Sequence, residues 1–392
     1  MDTLFFFFYS FVFIFVYIIA LPFLLILSFK SKYRVSIPAR FFFWKNPPLK
    51  PKGIWFHVCS FGEARAIAPL ASELPRDALR MSTTTQTGYE VIKGYTDQSR
   101  FLPFEPLLLW WIKPQKALVV MEAEFWYLLF AVAKMRGAKT MLINARMSDR
   151  SYPKYQKMAW FYRQLFRWVD EVYAQTPLDK ARLESLGAKR VTVTGNIKLA
   201  KLPPVTKVWQ KPAGPLLCAA STHEGEEKLI LEAFRDFKAV NPQAHMVIAP
   251  RHPERFEKVA QEIERFATMH GYSMQRYCES EEITSDIVLL DALGELVNLY
   301  AVSDIVILGG SFVPVGGHNA AEAAQFGCRI LSGPHCFNQR DIFEAVAGIA
   351  IVDADALSQK LLDYKDIEPA KIKYQSDIRP IMERLQDVLH DQ

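Results

Sequence analysis

The sequence predicts an α/β protein of two doubly wound, parallel-sheet domains behind one apolar N-terminal helix. Three observations predict it: an uncharged run over residues 4–29, an alternation of short apolar runs with helical stretches through the rest of the chain, and a proline cluster that divides that alternation in two. With 392 residues, half of them hydrophobic, the chain can bury two cores of ordinary size.

The first run exceeds the roughly 20 apolar residues that cross a bilayer core as a helix. No basic residue precedes it and no small-residue cleavage site follows, which favours a retained anchor over a signal peptide. Lys30, Lys32, Arg34, Arg40, Lys45, Lys50 and Lys52 come next with no Asp or Glu among them, so the positive-inside rule places the body in the cytoplasm. The same cations, with Phe41-Phe42-Phe43-Trp44 interleaved, either grip anionic phospholipid headgroups or set topology and nothing more.

Residues 54–58, 117–121, 139–143, 171–174 and 191–194 read as strands, with helical stretches at 64–74, 125–136, 155–168 and 178–186 between them; such alternation argues βαβ units and a parallel sheet. Pro203, Pro204, Pro212, Gly214 and Pro215 then crowd together as a linker. A second series of strands follows at 216–219, 245–249, 287–290, 305–308, 329–331 and 349–352. The boundaries that result are 1–30 for the anchor, 31–200 for the first domain, 201–214 for the linker and 215–392 for the second domain, whose last helix is free to pack back on the first. Two such domains would leave a cleft at the carboxyl ends of their strands, where ligands belong.

The net charge of +5 suits an anionic partner without demanding one. Five cysteines, odd in number and without CxxC spacing, indicate neither a disulfide framework nor a zinc site.

Candidate site residues are those that break the apolar pattern just after strands. Glu63, in Ser60-Phe61-Gly62-Glu63, is either a general base raised toward neutrality by burial or an acidic residue favoured in a first helical turn. Glu122 stands at a strand tip or a solvated helix start. Lys198, in Gly195-Asn196-Ile197-Lys198, can neutralise phosphate or carboxylate, or lie on the surface. Ser221 with Glu224 fits a capping box that leaves His223 pointing at the cleft. Pro250-Arg251-His252-Pro253 is a rigid turn offering the arginine's bidentate fork. Leu293-Gly294-Glu295 can hold a base or ribose edge. In Ile305 to Glu322, a strand, a glycine turn and a helix start at Asn319-Ala320-Ala321-Glu322 present free backbone N–H groups and the positive end of a helix dipole to a phosphate, unless Asn319 and Glu322 form a capping box.

Taken together, His57-Val58-Cys59-Ser60-Phe61-Gly62-Glu63, Met121 to Trp126, Asn144-Ala145-Arg146-Met147-Ser148, Thr194 to Lys198, Ser221 to Glu227, Pro250 to Phe256 and Gly316-Gly317-His318-Asn319 resemble, in order, the 3-deoxy-D-manno-oct-2-ulosonic acid (Kdo) transferases of lipopolysaccharide assembly. The resemblance implies a GT-B glycosyltransferase with two Rossmann-like domains facing across a cleft. It would be inverting, independent of metal and cofactor, and would move Kdo from CMP-Kdo to lipid IVA at the cytoplasmic face of the inner membrane. Carried over by motif, Glu63 is the proton acceptor and Glu122 and Lys198 stabilise the transition state. Pro250, Arg251, Leu293, Gly294, Glu295, Asn319, Ala320, Ala321 and Glu322 would bind CMP. Where the family has Pro-Leu in the last motif this chain has Ala320-Ala321, Glu-Leu-Trp-Pro appears as Glu124-Phe125-Trp126-Tyr127, and Phe61 replaces Val before Gly62; these changes bear on acceptor detail more than on reaction class.

The basic aromatic segment from Tyr152 to Trp168 is either a dock for the acceptor's phosphates and acyl chains or a solvated helix face. Its cations are spaced as in an ordinary amphipathic helix, which argues against nucleic acid as a partner. Two rivals remain: a metal-dependent sugar transferase using Asp353-Ala354-Asp355, and a membrane-tethered binding protein without catalysis.

Overall fold

The computed structural model describes residues 2–30, 33–41 and 46–390; the expected headgroup contacts of Lys32, Lys45 and Phe42-Phe43-Trp44 lie outside them. The chain forms two compact units. The first comprises Met1–Lys201 and Gln375–Gln392, the second Leu202–Tyr374.

The first unit holds a seven-stranded parallel sheet, with β1 (Ile54–His57), β2 (Leu79–Thr83), β3 (Ser99–Phe101), β4 (Ala117–Met121), β5 (Lys139–Ala145), β6 (Glu171–Ala174) and β7 (Val191–Val193) in the spatial order β3-β2-β1-β4-β5-β6-β7. The order reverses between β1 and β4, which makes that pair the switch point of a doubly wound sheet. Alternate residues feed cores on opposite faces: Trp55, Leu118 and Leu142 on one, Ile54, Phe56, Val119 and Ile143 on the other. Covering on both faces is why these strands read as apolar runs.

Strands β2 and β3 were not expected from the sequence, because each carries polar residues that the fold satisfies internally. Arg80 donates to the carbonyls of Lys50, Asp77 and Leu79 at 2.8, 2.6 and 2.8 Å. The stretch expected as one helix over 64–74 is two, Phe61–Ala66 and Ala68–Ala71, broken where Pro69 removes an N–H. The helix expected at 155–168 is likewise divided, into Tyr152–Lys157 and Ala159–Phe166.

The N-terminal helix, Asp2–Ser28, seats one face on this unit. Phe5 meets Tyr127 edge-on at 5.2 Å, Tyr9 stacks on Phe161 at 5.8 Å, and Tyr17 lies 5.8 Å from Phe104. The Tyr9 hydroxyl donates to Glu105 at 3.1 Å. Phe7, Phe11, Phe15, Ile19 and Phe23 on the other side are exposed. The Tyr152 to Trp168 segment belongs to this aromatic packing: Phe125 contacts Tyr155 and Tyr162, each at 5.6 Å. The closing helix of the chain, Arg379–His390, joins the other core of this unit through Ile381, Leu385 and Val388.

The second unit holds another seven-stranded parallel sheet. Its strands are β8 (Leu216–Thr222), β9 (His245–Pro250), β10 (Met274–Arg276), β11 (Ile287–Leu289), β12 (Ile305–Leu308) and β13 (Arg329–Ser332), and, after β14 (Val346–Ala347), β15 (Ile349–Ile351). The order is β10-β11-β9-β8-β12-β13-β15, so the switch point lies between β8 and β12. Strand β14 pairs antiparallel with β16 (Lys371–Ile372). The proline-rich segment forms no helix or strand, yet it is pinned to this unit: the Thr206 N–H donates to Asn298 at 2.8 Å, and Trp209 stacks on Tyr277 at 4.6 Å.

Candidate active site

In the first unit, the chain leaves β1 through Cys59-Ser60 into a short helix whose first turn carries Glu63. The Ser60 Oγ accepts the Glu63 N–H at 3.2 Å and donates to Glu63 Oε1 at 2.7 Å; Glu63 Oε2 accepts the Cys59 N–H at 2.9 Å. Glu63 thus caps its own helix and is also buried, 8% exposed, so the two expectations for it meet in one residue. Burial raises its pKa to about 7 against the opposing pull of the Cys59 and Ser60 hydrogen bonds, and the charges of Glu122 and Glu124 add to the rise. Beneath this loop, burial and then the Arg40 charge push His57 down to about 3, so it is neutral. Its Nδ1 is 2.9 Å from Ser82 Oγ, which accepts from Trp55 Nε1 at 2.8 Å.

Glu122 follows β4 and its N–H still pairs with Ile143 O at 2.9 Å, which places it at the strand tip. Its φ of 58° is a left-handed conformation uncommon outside glycine. Lys198 Nζ is 3.3 Å from Glu122 Oε1. Lys198 lies in a 3-10 turn, Ile197–Leu199, that Asn196 caps through the Lys198 N–H at 3.1 Å. Gly195 lets this loop meet the returning chain: a Cβ there would come within 2.7 Å of Gln375 O. Asn144 binds the pieces together, accepting the Ile197 N–H at 2.9 Å while its amide is 3.5 Å from Glu122 Oε1. It sits at φ 52°, where the pairing of β5 with β6 slips, a bulge that re-aims its side chain. Glu63, in the helix start that follows β1, and Glu122, at the tip of β4, therefore stand beyond the ends of the two strands that flank the switch point, and Lys198 joins Glu122.

Of the cavities that open on this unit, two lie beside these residues. One, of about 370 Å³, is lined by Arg65, Tyr95, Lys198 and Lys201 among others. The other, of about 460 Å³, runs from Leu24 and Leu27 of the N-terminal helix past Arg40 to Thr84 and Thr85. The Thr85 hydroxyl donates to Cys59 O at 2.8 Å, so this second cavity adjoins the loop that carries Glu63.

In the second unit, Pro250 ends β9 and the Arg251 N–H donates to Thr222 O at 3.1 Å, which leaves the arginine side chain exposed. Asn319 Nδ2 donates to Glu322 at 3.1 Å, and Asn319 Oδ1 accepts the Ala321 N–H at 3.0 Å. Burial raises the Glu322 pKa, while the Asn319 hydrogen bond and the Arg251 charge lower it. Pro250, Arg251 and Asn319 to Glu322 thus share the strand ends beside β8 and β12, with Ala320 and Ala321 fully buried beneath. The helix expected behind Asn319 is a single turn, Ala321–Ala324, with Ala320 at its cap position. So short an element carries little macrodipole, and Asn319 acts through its side chain rather than as a helix cap. Leu293-Gly294-Glu295 follows β11; Leu293 is exposed and Gly294 has φ 87°. Glu295 accepts from Trp209 at 3.2 Å and from Asn298 at 2.8 Å.

Three features escaped the sequence reading. Asn144 was legible only as a motif member. Glu226, fully buried, accepts the N–H groups of His223 and Gly310 on one oxygen at 2.9 and 2.7 Å, and those of Ser311 and Phe312 on the other at 3.1 and 2.9 Å. His223 and His318 meet across a gap of 95 residues in sequence. An Asn at a strand end and a second Glu beside Glu227 were the signals available.

Over 94% of its length and 94% of the relative's, the chain is 32% identical to the 3-deoxy-D-manno-octulosonic acid transferase of Haemophilus influenzae. The chain belongs to the Kdo transferase family. The family model described as 3-deoxy-D-manno-octulosonic-acid transferase matches residues 35–201. The Kdo transferase of Bordetella pertussis is 32% identical over 77% of this chain and 76% of its own. Among solved structures, the C-terminal CMP-Kdo binding domain of WaaA from Acinetobacter baumannii is 27% identical, covering 45% of this chain and 87% of that one at a TM-score of 0.35. This Kdo transferase is thus a glycosyltransferase of lipopolysaccharide biosynthesis, built from two Rossmann-like α/β units of the kind the GT-B class pairs.

Proposed function

We propose that this Kdo transferase moves Kdo from CMP-Kdo to lipid IVA with inversion, using neither metal nor cofactor, at the cytoplasmic face of the inner membrane. The observation that carries the reading is Glu63: a carboxyl raised by burial to about 7, in the first helical turn after β1, a strand that flanks the switch point. A base with that affinity takes the proton of the acceptor hydroxyl as its oxygen bonds to the anomeric carbon of Kdo. The bond from that carbon to the phosphate oxygen breaks at the same time, and its electron pair leaves with CMP.

Glu122 and Lys198 act as a unit in stabilising charge at the reacting centre, which their ion pair supports. Pro250, Arg251, the Leu293-Gly294-Glu295 turn and Asn319 to Glu322 hold CMP. Arg251 supplies the exposed guanidinium for its phosphate, and Glu322 accepts from the ribose hydroxyls. The leaving group is a single phosphate, whose charge basic side chains and amides can carry without a metal. Asp353 and Asp355 are exposed and follow β15, the edge strand, three strands away from β8, which is a poor place for a metal-bound nucleotide.

The lipid acceptor suits the cavity that joins Leu24 and Leu27 to the Glu63 loop, and the cationic cavity at Arg65, Lys198 and Lys201 suits its phosphates. The exposed apolar face of the Asp2–Ser28 helix supports a membrane location. The test is to incubate the purified protein with lipid IVA and a CMP-Kdo generating system and to weigh the lipid. A mass gain of one or more Kdo residues is expected, and an unchanged lipid mass refutes the reading.

A further inference from the structure

The strand ends that flank the second unit's switch point bring two imidazoles together. His223 follows β8 and His318 follows the glycine loop after β12. Their Nε2 atoms are 2.9 Å apart, and the rings lie nearly parallel, at 12° with centroids 5.2 Å apart. His252, after β9, meets His223 edge-on at 5.4 Å. Gly310, at φ 65°, is the floor: a Cβ there would come within 3.1 Å of His318 and 3.3 Å of His223. The four hydrogen bonds that Glu226 accepts lock both loops beneath the rings, so the pairing is built in rather than incidental.

Two neutral imidazoles joined through Nε2 hold one proton between those atoms, one ring donating and the other accepting. The pair is then one proton short of its capacity. The charged and titratable groups around it are Arg251, Arg255, His252, Glu226 and Glu227. Glu226 is committed to backbone amides, and Glu227 to Arg255 at 2.7 Å. Burial, then the neighbouring His223, Arg251 and His252, push His318 down to about 4. Burial lowers His223 as well, with Glu226 opposing. An anion set against the rings would reverse that balance.

We propose that the His223–His318 pair is a phosphate site that takes up one proton as the nucleotide donor seats against it. The proposal rests on the reading that this unit holds CMP. The proton comes from solvent and is added at Nδ1 of the ring whose Nε2 donates, so the bond between the rings is kept and that nitrogen becomes a donor toward the anion. Because binding raises the pair's proton affinity, its contribution is complete below the ligand-free pKa. It is lost as pH rises through the ligand-bound one.

The experiment is calorimetric titration of CMP into the full-length protein in detergent, between pH 6 and 8, in buffers of different ionisation enthalpy, for wild type, His318→Gln and His223→Gln. The phosphate of CMP titrates in the same range, but equally for all three proteins. Wild type should take up more protons per CMP than either variant. The ratio of its affinity to theirs should fall with rising pH, by up to tenfold per unit. Equal uptake in all three overturns the proposal while leaving CMP binding in place. If the wild type does not bind CMP, the donor reading fails and this inference falls with it. Should both variants unfold, imidazole nitrogen NMR of the wild type decides: CMP should move one ring from neutral to cationic, and an unchanged spectrum overturns the idea.

Discussion

Lys198 Nζ stands 3.3 Å from the Glu122 oxygen that also faces the Asn144 amide at 3.5 Å. Both charged side chains are about three-quarters covered, so each compensates part of the other's buried charge. Replacing either one, as Lys198→Met or Glu122→Gln, should cost tenfold or more in transfer. The double variant should lose little beyond the worse single, a coupling of about 0.5–3 kcal/mol. Fold losses in initial rate that simply multiply would show that the two act separately.

As the proposed base, Glu63 should set the acid side of the pH profile. Its pKa is raised to about 7, chiefly by burial, and it must be ionised to accept a proton. Turnover should therefore climb with pH through about 7, flatten above, and fall tenfold per unit below. Glu63→Gln should remove that limb and cut turnover about a hundredfold or more with CMP affinity kept. In Glu122→Gln the residual activity should show its midpoint at lower pH, since one charge that raises Glu63 is gone. A profile flat from pH 5 to 8 would remove Glu63 from the mechanism.

Glu226 should matter more to the second unit's stability than to its chemistry. Glu226→Ala strands four amide groups, two of them buried and two partly buried, a loss of about 3 kcal/mol or more. Hydrogen exchange at Gly310, Ser311 and Phe312 should quicken about a hundredfold, because each 1.4 kcal/mol is roughly a factor of ten. Exchange at wild-type rates would mean that those amides find other acceptors.

Activity should survive excess EDTA, and Asp353→Ala and Asp355→Ala should leave turnover within about twofold of wild type, as surface changes usually do. Loss of turnover restored by a divalent cation would reverse the assignment of a metal-free displacement.

The legible parts of the fold were those where hydrophobic pattern and environment agree. Strands β1, β4 and β12 are buried along their whole length, and the sequence marks them with apolar runs, unbroken in β4 and β12 and ending in His57 in β1. Strand β2 is equally buried but spells Leu-Arg-Met-Ser-Thr. Its polar atoms are satisfied in part by the Lys50 carbonyl and by Trp55 and His57, partners 25 to 30 residues away that no local window of sequence contains. The same limit governs the site. Glu63 and Arg251 interrupt apolar runs and could be found one at a time. The joint roles of Asn144, Glu226 and the paired imidazoles exist only once distant strands lie side by side. The helix read into Asn319 onward fell short because Gly327 and β13 follow so soon after Ala324.

The seating of the first helix has a practical side. A helix tied through Tyr9 to Glu105 and packed on Tyr127 and Phe161 is no flexible leash, and cutting the chain at residue 29 would not free a well-behaved catalytic fragment. It would trade one greasy strip for another, stripping the aromatic bed on which the helix rests and leaving the Glu105 carboxyl without its phenol. A truncated enzyme should clump where the intact one, with a detergent belt along a single side, stays dispersed.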